Sequence, residues 1–316
     1  MTVGTHTACQ RLILDVDTGI DDAMAILLAL GAPEAEVLGV TTVCGNVGLV
    51  QATRNSLQVL ELAGRPDIGV YCGADRPLAR TPVHAEAVHG ASGLGQAVLP
   101  EPAQEVAGAA VDFLVEQLSG PAAVTVVALG PLTNLALAEQ RAPGILRRAL
   151  KIVAMGGAVR VPGNVAATAE FNFYADPEAA RQVVQAGAEL VLVTLDSTDK
   201  VGLSSGDLAV HQGTLGRFCQ AAAATAIDFE KRDTGFQGFH LHDPTAVALA
   251  LAPQLGRFET VWVDIETQGR LTAGQVVADL RRLARTEDRS GRPVACTVDV
   301  DRDGVVDIFT RWVLEL

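Results

Sequence analysis

Short β-branched runs alternate with Ala- and Leu-rich stretches of helical length along most of the chain, and this alternation limits the possible folds more than any other feature. "RLILDV" is followed by "DDAMAILLALG", "AEVLGVTTV" by "LVQATRNSLQVLELAG", and "AVTVVAL" by "PLTNLALAEQ"; "LKIVAM" comes next, and "DPEAARQVVQAG" precedes "AELVLVTL". Strands that are apolar throughout, rather than at alternate residues, are buried on both faces. Helices between them then cross over right-handed, which predicts an α/β fold with a mainly parallel central sheet flanked by helices. No Pro/Gly/Ser-rich linker, charge block or repeat divides the chain, so a single domain is expected over residues 11–316 after an N-terminal tail of residues 1–10.

Charge narrows the partners. Twenty-four basic and 37 acidic side chains give a formal net charge of −13, which repels nucleic acid and anionic membrane and favours a cation. Cys9, Cys44, Cys72, Cys219 and Cys296 are scattered, with no C-x-x-C pair, so neither a disulfide framework nor a thiolate zinc site is expected. That usage suits a reducing compartment. The opening "MTVGTHTACQ" lacks the features of a secretory signal, and no later run reaches the roughly 18 apolar residues that span a bilayer. A cytoplasmic location is expected.

In open α/β sheets ligands gather beyond the carboxyl ends of the strands. The first such junction, "LILDVDTGIDDA", holds Asp15, Asp17, Asp21 and Asp22 within eight positions. Asp21 and Asp22 follow a Thr18-Gly19 turn and fall in a first helical turn, where acidic side chains are favoured by the free N–H groups. Capping does not cover Asp15 and Asp17, which share a strand face by period two and repel each other unless a cation or donors intervene. Hard oxygen ligands at this density suit Ca²⁺ or Mg²⁺. An EF-hand loop is excluded, because its sixth and twelfth positions would be Ile20 and Ile26. A D-x-D-x-T aspartyl-phosphate phosphatase stays open as an alternative, although Gly19 occupies the threonine position.

Further oxygen donors should come from other strand ends. Asn46 follows "TTVCG", a Gly-Pro turn follows Leu129, Asn164, Glu170 and Asn172 lie in a Gly-rich stretch after Met155, and His242 and Asp243 precede a helix. Each has a plainer reading: Asn134 and Asp243 as helix caps, Asn164 as a turn residue, His242 as a loop histidine. Asp176, in "DP", reads as a cap. In the long loop "TPVHAEAVHGASGLG", His84 reads as solvent-exposed and His89 as the better ligand contact. "DVDRDGVVD" at 299–307 lacks the acid at position twelve and reads as a solvated turn.

Taken in order, "DVDTGIDDAMAILLAL", "TTVCGNV", "HGASGLG", "LGPLTNLA", "MGGAV", "GN" six residues before "EFNFYADPEAA", and "HDPTAVA" resemble the inosine-uridine-preferring nucleoside hydrolases, from about residue 11 to 316. The resemblance implies a Rossmann-like α/β fold, a tightly bound Ca²⁺, a homodimer or homotetramer, and hydrolysis of ribonucleosides to ribose and free base. It implies that Asp17 is a metal ligand and general base, that Asp22, Asp243 and the Leu129 carbonyl complete the metal site, and that Asp15 supports them from behind. Asn46 would line the site. Asp21, Asn164, Glu170 and Asn172 would hold ribose hydroxyls, with Met155 beneath the sugar. His242 would be the acid for the departing base, and His89 a base-side contact. Ala91, Phe229 and Phe236 depart from the family on that side, which leaves purine or pyrimidine preference open. A nucleoside- or ribose-binding protein without catalysis is a second alternative; paired Asp17 and His242 argue for chemistry.

Overall fold

The computed structural model describes residues 9–282 and 284–315; residues 1–8 of the expected tail lie outside these, and Gln10 already belongs to the first strand. The chain opens with β1 (Gln10–Val16), α1 (Ile20–Gly31), β2 (Ala35–Thr42) and α2 (Leu49–Leu62). Short β3 (Val70–Cys72), α3 (Glu86–His89) and β4 (Gly108–Ala109) follow, then α4 (Ala110–Ser119), β5 (Val124–Ala128), α5 (Thr133–Arg141) and β6 (Lys151–Met155). Next come α6 (Phe171–Ala175), α7 (Pro177–Gln185), β7 (Leu190–Val193) and α8 (Leu195–Thr198). The last third holds β8 (Gly202–Ser204), α9 (Ser205–Ala209), α10 (Thr214–Asp233), β9 (Gly238–His240), α11 (His242–Leu251), β10 (Gly256–Ile265), β11 (Val276–Asp279), β12 (Arg292–Val300) and α12 (Arg302–Phe309).

Ten strands form one sheet in the order β11-β10-β12-β7-β6-β5-β1-β2-β3-β4. Pairing is parallel from β12 across to β4, while β10 runs antiparallel to both β11 and β12. The mainly parallel sheet expected from the strand–helix rhythm is therefore present, with an antiparallel arm at one edge. The parallel strands bury both faces. In β1, Leu12, Leu14 and Val16 join one core and Ile13 the other, as period-two alternation requires. Helix α1 is apolar almost all round, with Ile20 and Ala23–Ala29 buried, because it packs between the sheet and α2 and α11. Full burial of its Ile26, Leu27 and Leu28 side chains contributes roughly 1.5–3 kcal/mol each.

Strand order places the site. After β1 the chain adds β2, β3 and β4 on one side, then returns to add β5 on the other. That reversal opens a crevice at the carboxyl ends of β1 and β5. Asp15 pairs in register with Thr41 on β2 and Ala128 on β5, so the loops after all three strands converge above it. A separate ribbon, β8 paired antiparallel with β9, delivers the chain to the start of α11. Among the described residues no helix is long and apolar enough to cross a membrane.

Candidate active site

Asp17 follows the end of β1 and is fully buried. Its Oδ2 accepts the Asn46 main-chain N–H at 2.6 Å, and its own N–H donates to Asp22 Oδ1 at 3.2 Å. Asp22 Oδ2 also accepts the Gly19 N–H at 2.9 Å and the Asn46 Nδ2 at 3.1 Å. Asn46 thus ties the end of β1 to the start of α1. Asp21 and Asp22 occupy the first turn of α1, where the Gly19 turn directs them. Asp243 lies in the first turn of α11 with Leu241 at the N-cap, so the capping reading of Asp243 does not hold; its carboxyl is buried against the aspartate cluster.

One carboxylate oxygen from each of Asp21, Asp22 and Asp243 lies within 4.8 Å of the other two. Oδ1 of Asp17 and Oδ1 of Asp21 are buried with no hydrogen-bond partner among the described residues. Burial, and then the neighbouring aspartates, hold Asp17 and Asp243 well above the usual carboxylate range. Burial raises Asp21 and Asp22 to about 6. Desolvated, mutually repelling, partly unpartnered carboxylates are what a divalent cation relieves, and the donors are all oxygen. The residues fit such an ion. Asp21, expected on the sugar, belongs to this trio, and Asp17 stands beside it.

Asp15 is set deeper. Its Oδ1 accepts from Thr41 Oγ1 at 2.5 Å and Asn134 Nδ2 at 2.7 Å, and burial raises it to about 7. Asn134 does not cap α5. It lies inside the helix, donating also to the Thr42 carbonyl at 3.0 Å and accepting the Ala74 N–H at 2.9 Å.

The sugar-side residues come from the loop after β6 and from α6. Glu170 caps α6, accepting the N–H of Asn172 at 2.8 Å, of Phe173 at 3.3 Å and, across the loop, of Gly157 at 2.9 Å. Burial raises it to about 7. Asn172 Nδ2 donates to the Leu129 carbonyl at 2.6 Å and the Met155 carbonyl at 3.1 Å, joining the ends of β5 and β6. The Leu129 oxygen expected on the metal therefore carries an Asn172 hydrogen bond here. Met155 is buried at the end of β6. Asn164 is exposed, and its Oδ1 accepts the Phe171 N–H at 3.0 Å, closing the loop as a turn residue.

Two histidines stand near the cluster, His89 at the end of α3 and His242 next to Asp243 at the start of α11. His89 Nδ1 accepts the Ile20 N–H at 3.0 Å and lies 3.9 Å from Asp21 Oδ1; burial lowers its pKa to about 4. His242 Nδ1 is 2.8 Å from Thr198 Oγ1, and burial, then His240, lowers it to about 3. Both rings are neutral near pH 7. His84 is exposed as expected, yet its Nδ1 bonds the Gly45 carbonyl at 2.8 Å.

Sequence reasoning missed Asn134, Thr41 and Thr198, and also Asp196, whose carboxylate accepts the Val159 and Arg160 N–H groups, each at 2.9 Å, and so fixes the sugar-side loop. Only the position of Asn134 after "LGPLT" signalled any of these. Asp176 caps α7 as read, accepting the Ala179 N–H at 3.0 Å. The 299–307 stretch is the end of β12 and a helix start, with Asp301 accepting the Gly304 N–H at 3.1 Å, rather than a solvated turn.

The family model described as inosine-uridine preferring nucleoside hydrolase matches residues 12–307. Uridine nucleosidase 1 of Arabidopsis thaliana is 39% identical over 314 residues, covering 96% of this chain and 92% of that protein. The pyrimidine-specific ribonucleoside hydrolase RihA of Salmonella typhi is 40% identical over 309 residues, covering 95% and 97%. Among solved structures, a plant nucleoside hydrolase, PpNRh1, superposes with a TM-score of 0.88 at 34% identity over 96% of this chain and 99% of that one. A purine-preferring ribonucleoside hydrolase from Gardnerella vaginalis gives 0.89 at 31% identity over 97% and 98%. With a family model that spans residues 12–307 and relatives of 39–40% identity matched over nearly their whole length, the chain belongs to the inosine-uridine preferring nucleoside hydrolase family.

Proposed function

We propose that this protein is a calcium-dependent ribonucleoside hydrolase that cleaves the N-glycosidic bond to release ribose and a free nucleobase. The observation that carries the reading is the buried aspartate cluster, three carboxylates within 4.8 Å with unpartnered oxygens on Asp17 and Asp21. The pyrimidine-directed names of relatives at 39–40% identity support uridine and cytidine as the first substrates to try.

Asp17, Asp22, Asp243 and the Leu129 carbonyl would hold the ion, with Asp21 close enough to share it. When bound, Ca²⁺ would anchor the vicinal sugar hydroxyls and acidify an attacking water. Asp17 then takes the water's proton at Oδ1, the oxygen left without a protein partner. Asp21, Glu170, Asn172 and Asn164 bind the sugar hydroxyls and Met155 packs beneath the ring, while the surrounding carboxylates meet the positive charge of an oxocarbenium-like transition state. Asn46 keeps Asp17 and Asp22 aligned, and Asp15 anchors the strand end beneath them.

His242 is neutral at rest, so it must first take up a proton from water as negative charge develops on the leaving nitrogen and raises the ring's proton affinity; the ring then passes that proton to the base and returns to neutral. His89 faces the base side. A cytoplasmic homodimer or homotetramer is part of the same reading.

The test is reducing-sugar release from uridine, cytidine, inosine and adenosine, with and without chelator, by the wild type and Asp17→Asn. Removing the base should lower kcat by on the order of 10²–10⁴. Indifference of turnover to both chelator and Asp17→Asn would sink the mechanism. Nucleosides bound but recovered intact would favour the non-catalytic binder, and Mg²⁺-dependent turnover of p-nitrophenyl phosphate the phosphatase.

A further inference from the structure

Beside the β11 edge of the sheet, lined by none of the aspartate-site residues, lies a groove of about 620 Å³ whose lining includes Arg160, Arg257, Arg281, Arg282 and Arg289 with the carboxylates of Glu259 and Asp279. Each carboxylate is shared by two guanidiniums. Glu259 lies 2.7 Å from Arg160 and 2.9 Å from Arg257, and Asp279 lies 2.6 Å from Arg281 and 3.6 Å from Arg289. Arg282 has no hydrogen bond or ion pair among the described residues. Five positive against two negative charges leave an excess of three in the lining, on a chain whose sum is −13.

Of the groups just outside, only Asp288 reduces this excess, to two. Asp288 faces Arg281 and Asp299 faces Arg257, but Asp299 is itself paired with Lys200 at 2.9 Å. Arg285 and Glu287 pair with each other at 3.9 Å.

Two of the guanidiniums are fixed in place. Arg289 donates to the carbonyls of Asp279 at 2.9 Å and Arg281 at 2.7 Å, and Arg281 donates to the Asp288 carbonyl at 3.0 Å. Their ordering is done before any ligand arrives, which lowers the cost of binding. Guanidinium forks match phosphate oxygens bidentately, and an excess of two to three positive charges calls for a multivalent anion rather than a single carboxylate. A long polyanion such as nucleic acid would run out of the groove onto the acidic remainder of the surface, so the occupant is short.

We propose that this groove binds a di- or triphosphate group, free or carried on a nucleotide. It is joined to the sugar-side loop through Arg160, which lies two residues after the buried Ala158 and whose main-chain N–H is held by Asp196.

Equilibrium dialysis of the full chain against pyrophosphate, tripolyphosphate and ATP tests this. The wild type should retain about one equivalent per chain, weakening as salt rises, and Arg281→Gln/Arg282→Gln should bind on the order of tenfold more weakly. Asp17→Asn should bind like the wild type, which separates the groove from the metal site. Unchanged melting and unchanged nucleoside hydrolysis in the double variant show that it is folded. Equal retention of tripolyphosphate and ATP assigns recognition to the phosphates alone, and tighter ATP binding assigns it to a nucleotide. No retention at about 1 mM anion, or equal retention by the double variant, overturns the proposal. So does a double variant that changes only oligomeric state, since the groove would then be a contact between copies.

Discussion

His89 Nδ1 accepts the main-chain N–H of Ile20 at 3.0 Å, so a ring from α3 closes the first turn of α1 across 69 positions of sequence. Gly19, the N-cap, has no side chain to do this, and a Cβ there would lie 2.5 Å from His89 Nδ1. The bond fixes the hydrogen of the neutral ring on Nε2. His89→Ala should therefore cost about 1–2 kcal/mol in urea unfolding, the loss of a cap plus a desolvated donor, and should lower turnover by shifting Asp21 and Asp22.

The same ring has a pH signature. Its folded pKa, about 4, lies below the unfolded value near 6.5, so between these limits the unfolded chain binds more protons. Its contribution to stability is present above pH 6.5 and is lost as pH falls toward 4. Wild type should lose more stability on acidification through that window than His89→Gln, which has nothing to protonate. Paired urea titrations at several pH values measure the difference.

The carboxylates behave oppositely. Glu170 and Asp15 are raised to about 7, and Asp21 and Asp22 to about 6, against ordinary values near 4. Between those values these four groups bind more protons in the folded, metal-free chain than in the unfolded one, so their contribution to stability is fully present below about pH 4 and is lost as pH rises to about 7. With chelator present, this cluster should make the melting temperature fall over that interval. Added Ca²⁺ should restore it strongly near pH 8 and little near pH 5, because ligands must be deprotonated to bind. Scanning calorimetry at the two pH values, with chelator or Ca²⁺, checks both signs.

Gly45 is needed for closeness rather than for turning. A Cβ on it would fall inside the van der Waals envelope of Asp17 Oδ2, the oxygen that Asn46 holds. Gly45→Ala should leave the sheet intact but push Asp17 out of line, with turnover falling on the order of 10² and Ca²⁺ affinity falling with it. Activity lost alongside unchanged far-ultraviolet circular dichroism is the expected pair of results. Wild-type turnover in Gly45→Ala would show that the Asp17 position is not constrained.

Much of this was legible before any coordinates, and the reason is locality. Asp21 and Asp22 fall in a first helical turn because Gly19 precedes them, and β1 reads as buried because Leu12–Val16 carries apolar residues on both faces apart from Asp15. The opposite holds for Asn134, which looks like a cap in "PLTN" and instead bridges Asp15 and Thr42, 119 and 92 positions away. Such a role depends on the register of β1, β2 and β5 together, which no local pattern encodes. The antiparallel arm of β10, β11 and β12 was likewise unread. β10 is largely half-buried, with buried residues only at alternate positions of its second half, and irregular segments link the three strands, unlike the continuous apolar runs of the parallel strands.

Asn134 also supplies the sharpest test of support from behind the metal site. Its amide satisfies Asp15 and the Thr42 carbonyl, both fully buried, and the half-buried Ala74 N–H at once, at or just after the ends of β1, β2 and β3. Asn134→Leu keeps the branched shape and heavy-atom count and removes every one of these bonds, leaving buried groups unpaired at a cost of about 2–4 kcal/mol. Because Asn134 touches none of Asp17, Asp22 or Asp243, Ca²⁺ affinity in the folded variant should fall less than in Asp22→Asn. Denaturant midpoints together with Ca²⁺ titrations separate the two effects. A variant as stable as wild type would show that Asp15 is held by Thr41 alone, and equal losses of Ca²⁺ affinity in the two variants would place Asn134 among the residues that set the metal site directly.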